Sequence, residues 1–436
     1  MELKIFNAIK DFADKKTVRL HMPGHKGNPD FAKIFKGAEL DTTELTVIDN
    51  EKVLTLAEKD VSEIFGSEKT WFLTNGSSSG VLSMVYALKN KGAKLIIGRG
   101  SHKSVYSALE ICGIEPIIID DENYDESFYA EIEKRKADDV IGALLTYPDY
   151  YGKTFDIKRV SESLRENNKY LLIDGAHGGH FKFVGDGVYA GDYADVWVDG
   201  LHKTFPVLNQ GALLHTSNSS LSFLLDDATS KFLTTSPSYP LLASIEYGVK
   251  FYDENKKLLE SWKDKIIDFC ESLKELNIPA KIYDDPYKVY LPLKDVGISL
   301  SHAEEIFNKD QIYFEMKDKR GFLMMLTPFN TDKDLKRLYS AIKKLNPSQA
   351  RNTETIKMAK TQRAMPYLRA VSSEKTWVDL ENADGKIASA NVGNFPPCKP
   401  IVVAGEKFTK ELIISIDQSS CFGVNHGKVL VVKEDK

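Results

Sequence analysis

Four short segments carry chemically useful side chains directly after apolar runs: TNGSSSG (Thr74 to Gly80), GRGSHKS (Gly98 to Ser104), YLLIDGAHGGH (Tyr170 to His180) and VWVDGLHKTF (Val196 to Phe205). In the first, Gly76, Ser77 and Ser78 precede the helical pattern VLSMVYALKN. Small residues let the backbone approach an anion, and the N–H groups of a helix start together with serine hydroxyls can bind phosphate. The same residues also make an ordinary Ser/Gly N-cap turn. In the second, His102 stands between an apolar run and a helical one, so its imidazole either lies flat on a cofactor ring or sits at the helix N-cap.

In the third, Asp174 follows four apolar residues at the buried end of a strand, where an unpaired carboxylate is costly and needs a cation or a strong donor. His177 and His180 are three apart, but no acidic or cysteine partner stands at a recognised zinc spacing, and no metal is expected. In the fourth, Lys203 follows a strand and His202. A lysine so placed, with a buried acidic residue one βαβ-like step earlier, is what a Schiff-base enzyme needs. Lys203 would form an imine with pyridoxal phosphate, and Asp174 would hold the pyridine nitrogen protonated so that the ring accepts electrons. A solvated surface lysine is the ordinary alternative. The order of phosphate loop, histidine, strand-end aspartate and lysine argues against it.

Such residues need a scaffold. From about Trp71 to Gly211 the runs TWFLTNG, AKLIIGRG, EPIIIDD, VIGALLTYP, KYLLIDGAH, DVWVDGLHK and QGALLHT alternate with helix-length segments, which predicts an α/β domain with a mostly parallel sheet. Ligands bind such sheets at the carboxyl ends of the strands. A long helical pattern from about Leu242 to Leu276 then leads to the strand candidates AKIYDD, KVYLPL, IYFEM and FLMMLTP, a smaller α/β unit. NPSQARNTETIKMAKTQ reads as a linker with some helix, and KPIVVAG, ELIISID and KVLVVKE point to a small β-rich C-terminal domain. The expected division is an N-terminal arm over 1–35, a large domain over 36–245, a small α/β domain over 246–348 and a C-terminal domain over 349–436. A chain of 436 residues is long enough for several such units.

The formal charge of -5 is spread without a long block of one sign, which gives no reason to expect nucleic acid or an anionic membrane as partner. The start, MELKIFNAIKDFADKK, lacks the apolar core of a signal peptide, and no later run is long enough to span a bilayer, so a cytoplasmic location is expected. Cys112, Cys270, Cys398 and Cys421 form no CxxC pair and read as reduced thiols. In LHMPGHKG, Pro23 and Gly24 between His21 and His25 predict a turn rather than a helix.

The segments HMPGHKG, DTTEL, TNGSSSG, RGSHKS, TYPDYYG, DGAHGGH, LHKTFPVLNQGALL and TSPSYPLLAS, followed by FPPCKPIVVAGE, are similar in kind and order to the motifs of a known family. They resemble the pyridoxal-phosphate-dependent ornithine/lysine/arginine decarboxylases of fold type I, in their shorter bacterial form. The resemblance covers most of the chain. It implies a fold type I large domain, with Lys203 bound to the cofactor, Asp174 at the pyridine nitrogen and His102 stacked on the ring. It further implies Gly76, Ser77 and Ser78 at the phosphate and His177 close to the cofactor. His202 resembles a histidine that contacts phosphate or assists protonation. The segment TTSPS, with Thr235 and Ser236, is similar to one that reaches a neighbouring subunit's cofactor, which implies at least a homodimer. The arm around LHMPGHKG resembles one packed near the cofactor cleft, with His25 and Lys26 towards substrate.

The implied reaction is decarboxylation of arginine, lysine or ornithine to agmatine or a diamine, in polyamine metabolism. Selectivity needs an acidic group at the far end of the pocket, for which Asp41, Glu44 and Glu315 are the candidates. Three positions depart from the family pattern. Gly200 stands where many relatives have Ser or Thr, which removes one phosphate hydroxyl. VLTLA replaces a longer segment, and FPPCKP replaces a commoner Pro-Pro-Gly-Ile-Pro. The competing readings are another fold type I enzyme, such as an aminotransferase or lyase, and a cofactor-binding paralogue with reduced or regulatory activity. The HMPGHKG arm and the FPPCKP segment separate the decarboxylases from aminotransferases.

Overall fold

The computed structural model describes residues 1–15, 18–42, 50–120, 123–135, 137, 139–184, 187–345, 361–395 and 398–433. Glu44, most of the polar linker, and Pro396 and Pro397 of FPPCKP lie outside the described residues.

Each of the seven apolar runs becomes a strand: β1 (Lys69–Leu73), β2 (Lys94–Gly98), β3 (Glu115–Ile119), β4 (Val140–Thr146), β5 (Tyr170–Gly175), β6 (Val196–Asp199) and β7 (Ala212–Thr216). They form one mostly parallel sheet of order β1-β7-β6-β5-β4-β2-β3. β2 runs parallel to both β3 and β4, and β7 is antiparallel to both β1 and β6. Every residue of β6 and β7, and all of β4 up to Leu145, is buried. Burial on both faces explains why these strands read as continuous apolar runs instead of alternating ones.

The described residues divide into two compact units. One comprises Met1–Ser83, Tyr147–Ile157 and Ile173–Asn352; the other comprises Met84–Thr146, Lys158–Leu172 and Thr353–Lys436. In the first, the helix Lys4–Asp14 buries Ile5, Ile9 and Phe12 along one stripe. Its opening N–H groups, those of Lys4 and Ile5, donate to the Glu246 carboxylate at 2.7 and 2.9 Å. A buried anion thus satisfies donors that a helix start leaves unpaired. Further along, a small antiparallel sheet has the order β8-β10-β9, from β8 (Lys288–Leu291), β9 (Met316–Lys317) and β10 (Phe322–Met325).

The second unit carries the small C-terminal sheets. They are built from β11 (Lys375–Asp379), β12 (Val392–Asn394), β13 (Lys399–Val402), β14 (Cys421–Phe422), β15 (Val424–Asn425) and β16 (Lys428–Val432). Their orders are β11-β16-β15 and β13-β12-β14, all antiparallel, around a core that includes Val392, Val402, Phe408, Val429 and Val431.

Three expectations need correction. ELIISID is not a strand but the helix Lys410–Ser415: Thr409 caps it, its side chain accepting from Leu412 N, and Leu412 and Ile416 reach the core on one helical face. The long helical pattern breaks into Tyr239–Glu254 and Lys256–Lys274. At the break, the Asn255 side-chain amide donates to Phe251 O at 2.7 Å, taking the carbonyl that the backbone ladder would use. AKIYDD contributes only a bridge from Lys281 to Tyr290, and IYFEM only Met316.

Among the described residues no helix is long and apolar enough to cross a membrane. The four cysteines are free thiols.

One half-buried carboxyl group makes stability depend on pH. Glu58, on the helix Asn50–Phe65, accepts a hydrogen bond from Phe72 N of β1 at 2.9 Å, and burial pushes its carboxyl up to about 7. A folded-state value above the unfolded one means that the protonated form favours the fold. Its contribution is complete below about pH 4.5 and lost as pH rises through about 7. Glu58→Gln keeps an acceptor for Phe72 N. It is expected to raise stability at pH 8 by on the order of 1–3 kcal/mol and to leave it nearly unchanged at pH 4.5, as read from thermal melts at the two values.

Candidate active site

β6 ends at Asp199, and after Gly200 the chain makes a single helical turn, Leu201–Thr204. Backbone bonds hold this turn: His202 N donates to Gly211 O at 3.1 Å and Lys203 N to Gly200 O at 3.2 Å, while the Tyr252 hydroxyl donates to Thr204 O. Lys203 Nζ lies 2.9 Å from His177 Nε2. His177 comes from the turn after β5, which Gly178 N closes onto Gly175 O at 2.8 Å. Neighbouring strand ends therefore place the lysine and a histidine in direct contact.

Asp174 sits in β5 and is 3% exposed. Its Oδ1 accepts from Ala176 N at 3.2 Å, and its carbonyl accepts from Tyr147 N at 3.1 Å. Such a position keeps the carboxyl group out of water, where a hydrogen bond to a nearby donor counts most.

The helix Ser77–Leu88 begins at the phosphate-loop candidates. Gly76 N is engaged by Gln210 O at 2.9 Å and Ser79 Oγ by Gly76 O at 2.8 Å. Ser78 is exposed, and Ser77 Oγ is buried with no hydrogen-bond partner among the described residues. A Cβ added at Gly200 would stand 2.4 Å from Ala176 O and 2.8 Å from Ser77 Oγ. Gly200 is thus required by close packing, and the position offers Ser77's hydroxyl where a side chain at 200 would intrude.

His202 Nδ1 lies 3.1 Å from Gly211 O. A carbonyl only accepts, so Nδ1 carries the proton and Nε2 does not. Burial lowers the pKa of this imidazole, so it is neutral at neutral pH.

In the other unit, His102 is the N-cap of the helix Lys103–Cys112, its Nδ1 accepting from Ser104 N at 3.2 Å. The turn before it is fixed by Arg99, which forks onto the buried Glu406 carboxylate at 2.6 and 3.3 Å, and by Lys103 N donating to Cys398 O at 3.1 Å. The segment from Cys398 to Glu406, singled out as a motif, braces the RGSHK turn.

The remaining candidates are placed as follows. His25 Nδ1 accepts from Gly27 N at 3.1 Å, its Nε2 lies 3.1 Å from Asp41 Oδ2, and its ring stacks on Phe31 at 4.8 Å. Two substrate candidates, His25 and Asp41, are therefore partners of each other. Glu315 is exposed and accepts from the Tyr150 hydroxyl. Thr235 and Ser236 are exposed, with Ser236 N bonded to Thr234 Oγ1 at 3.1 Å. His180 binds Asp285 at 2.8 Å, away from His177's partner. Among the described residues no group of three or more His, Cys, Asp or Glu could hold a metal ion.

Sequence reasoning missed Tyr150, whose ring meets His177 edge-on at a centroid distance of 4.9 Å. It also missed the buried charges Asp285 and Lys288. TYPDYYG carried the only signal, a pair of tyrosines directly after a strand.

Residues 4–285 match the family model described as Orn/Lys/Arg decarboxylase, major domain. The chain belongs to the Orn/Lys/Arg decarboxylase family. This is a family of pyridoxal-phosphate-dependent carboxy-lyases whose substrates are basic amino acids. An arginine decarboxylase of Bacillus subtilis (strain 168) is 26% identical over 456 residues, spanning 94% of this chain and 92% of that protein. A second protein of that strain, described as uncharacterized protein YaaO, is 27% identical over 95% of this chain and 93% of its own length. Lysine decarboxylase A from Pseudomonas aeruginosa shares the fold, with a TM-score of 0.81 over 99% of this chain and 80% of that chain at 17% identity.

The residues of the site suit the family's cofactor. A buried serine hydroxyl without a partner among the described residues meets a phosphate's need for donors, the absent side chain at Gly200 leaves room beside it, and a buried carboxyl group and a lysine stand at adjacent strand ends.

Proposed function

We propose that this chain binds pyridoxal phosphate at Lys203 and decarboxylates arginine, lysine or ornithine to agmatine or a diamine. The observation that carries the reading is the 2.9 Å contact of Lys203 Nζ with His177 Nε2, made between the ends of two adjacent strands, one of which also holds the buried Asp174.

When bound, the cofactor supplies an electron sink for the pair left behind as CO2 departs. The protein supplies the rest. Gly76, Ser77 and Ser78 hold the phosphate, with Ser77 Oγ as the buried donor. Asp174 keeps a proton on the pyridine nitrogen by presenting a carboxylate where water does not screen it. His177 orients Lys203 Nζ. His202, neutral and unprotonated at Nε2, is set to accept a proton or a phosphate-bound hydrogen rather than to donate one. That leaves the Lys203 amine as the group that would return a proton to the α-carbon. Glu315 is the acidic group for the distal ammonium or guanidinium.

A homodimer fits the bare apolar surface of the arm, where Val18, Leu20 and Ile34 are 85%, 91% and 76% exposed. Thr235 and Ser236, exposed within one protomer, would complete the site of its partner. A cytoplasmic place in polyamine metabolism follows from the same reading. Gly200, explained by packing, gives no support to a paralogue of reduced activity.

The test is an incubation of the cofactor-loaded protein with equal amounts of arginine, lysine and ornithine, followed by identification of the amines. One amine is expected to dominate, and Glu315→Gln is expected to raise KM for its precursor about 10- to 100-fold, the effect of losing a hydrogen bond to a charged group. Absence of every amine would contradict the reading.

A further inference from the structure

Asp285, three residues before β8, and Lys288, the first residue of β8, are charged residues that are 0% and 1% exposed. Charges are kept at such depth only when paired and hydrogen-bonded. Both reach loops that serve the candidate site.

Asp285 Oδ1 lies 2.8 Å from His180 Nε2 and accepts from Tyr287 N at 2.9 Å, while the His180 and Tyr287 rings stack at 4.9 Å and 10°. His180 lies in the turn Gly179–Lys182, immediately beyond His177 and Gly178. Its bond to Asp285 pins the turn that presents His177 to Lys203.

Lys288 Nζ donates to Asp149 O at 3.0 Å, stands 3.8 Å from Asp285 Oδ2 and lies 5.9 Å from the centre of the Tyr150 ring. It thereby anchors the loop that carries Tyr150. The same loop is docked by its backbone: Asp284 N and Asp285 N both donate to Gly152 O at 3.0 Å, and Thr154 N and Oγ1 donate to Asp284 Oδ2 at 2.7 and 2.9 Å. A Cβ at Gly152 would come within 2.6 Å of Asp285 Cβ, and its φ of +91° is one that L side chains rarely adopt. The fit closes only around glycine. Tyr150 in turn meets His177 edge-on and donates its hydroxyl to Glu315.

We propose that Asp285 and Lys288 are positioning residues of this site: from one buried segment they hold two loops, so that His177 stands against Lys203 Nζ and Tyr150 stands against Glu315. The proposal rests on the decarboxylase reading for its consequence in catalysis, though not for the geometry. Burial draws the Lys288 ammonium down to about 8, with Asp285 and Asp149 opposing the shift, Lys203 adding to it and Glu315 opposing it. Burial also disfavours the Asp285 carboxylate, but His180 and Lys288 together hold it below the usual range. At pH 7 the two are therefore a charged pair.

The experiment compares the full-length wild type with Lys288→Met, which keeps the apolar stem, and Asp285→Asn, which keeps shape and an acceptor for Tyr287 N. Each variant is expected to lower kcat about 10-fold or more because the reacting groups are misplaced; KM changes by less than about 3-fold in Asp285→Asn, which loosens the turn of His177, and by more in Lys288→Met, which loosens the loop that sets Tyr150 against Glu315. The pH midpoint of the visible absorbance of the lysine-bound cofactor should shift. Without cofactor, hydrogen exchange should quicken in 147–152 and 176–181 while β6 and β7 keep their protection. Folded variants with wild-type kcat, midpoint and exchange would overturn the proposal. So would variants that lose only melting temperature, with kcat per folded molecule and midpoint unchanged, since that marks a structural role alone. If one variant fails to fold, the other decides by the same criteria. The exchange result is read without cofactor, so a wild type that releases no CO2 would defeat the decarboxylase reading while leaving the positioning geometry to be judged by itself.

Discussion

Lys203→Ala is expected to abolish turnover. In the proposed role the lysine amine would be both the attachment point for the cofactor and the acid that returns a proton to the α-carbon, and either role alone would carry a large part of the rate. Loss of positioned proton transfer costs up to about 10^4-fold, and loss of covalent attachment adds to it. The visible absorbance of the protein mixed with pyridoxal phosphate should vanish in the same variant. Folding should change little, because the Lys203 side chain is partly exposed. Absorbance spectra and thermal melts of the two proteins check both halves of the prediction. A variant that keeps the band would move the attachment point to another lysine, with the buried Lys288 the first to examine.

Asp174→Asn should have the second largest effect. The substitution keeps the shape at the end of β5 and an oxygen for Ala176 N, now 3.2 Å from Asp174 Oδ1, and removes only the charge. A neutral amide cannot hold a proton on the pyridine nitrogen. On the order of 10^2- to 10^3-fold is therefore expected to be lost from kcat, the scale on which removal of a preorganised electrostatic partner acts. The loss should appear in kcat with KM little changed, since the substitution leaves the substrate contacts in place. A variant with wild-type kcat would contradict the assigned role.

The sheet was legible in the sequence because each strand is a short continuous apolar run closed by Gly, Asp or Pro, which is what burial on both faces demands. Elsewhere the local signal was ambiguous. ELIISID is as apolar as a strand, and only its N-cap Thr409 and the spacing of Leu412 and Ile416 mark a helix. The break at Asn255 depends on one side-chain amide choosing a backbone carbonyl. Within the site, Asp174, His177 and Lys203 stood out because chemistry and strand ends coincide in the sequence. Asp285 and Lys288 did not, since their meaning lies in contacts with His180 and Asp149, 105 and 139 positions away. Gly200 looked like a missing hydroxyl from the sequence. The crowding of Ala176 O and Ser77 Oγ, which explains it, exists only once the strands are assembled.

The central claim is that this chain, with pyridoxal phosphate at Lys203, cleaves the carboxylate from a basic amino acid. It is tested most directly by supplying carboxyl-labelled arginine, lysine and ornithine, one at a time, to the cofactor-saturated protein and trapping labelled CO2, with Lys203→Ala as control. Sustained release is expected from at least one of the three and none from the control. A protein that takes up the cofactor yet releases no label from any of them, or releases it equally well from the control, would contradict it.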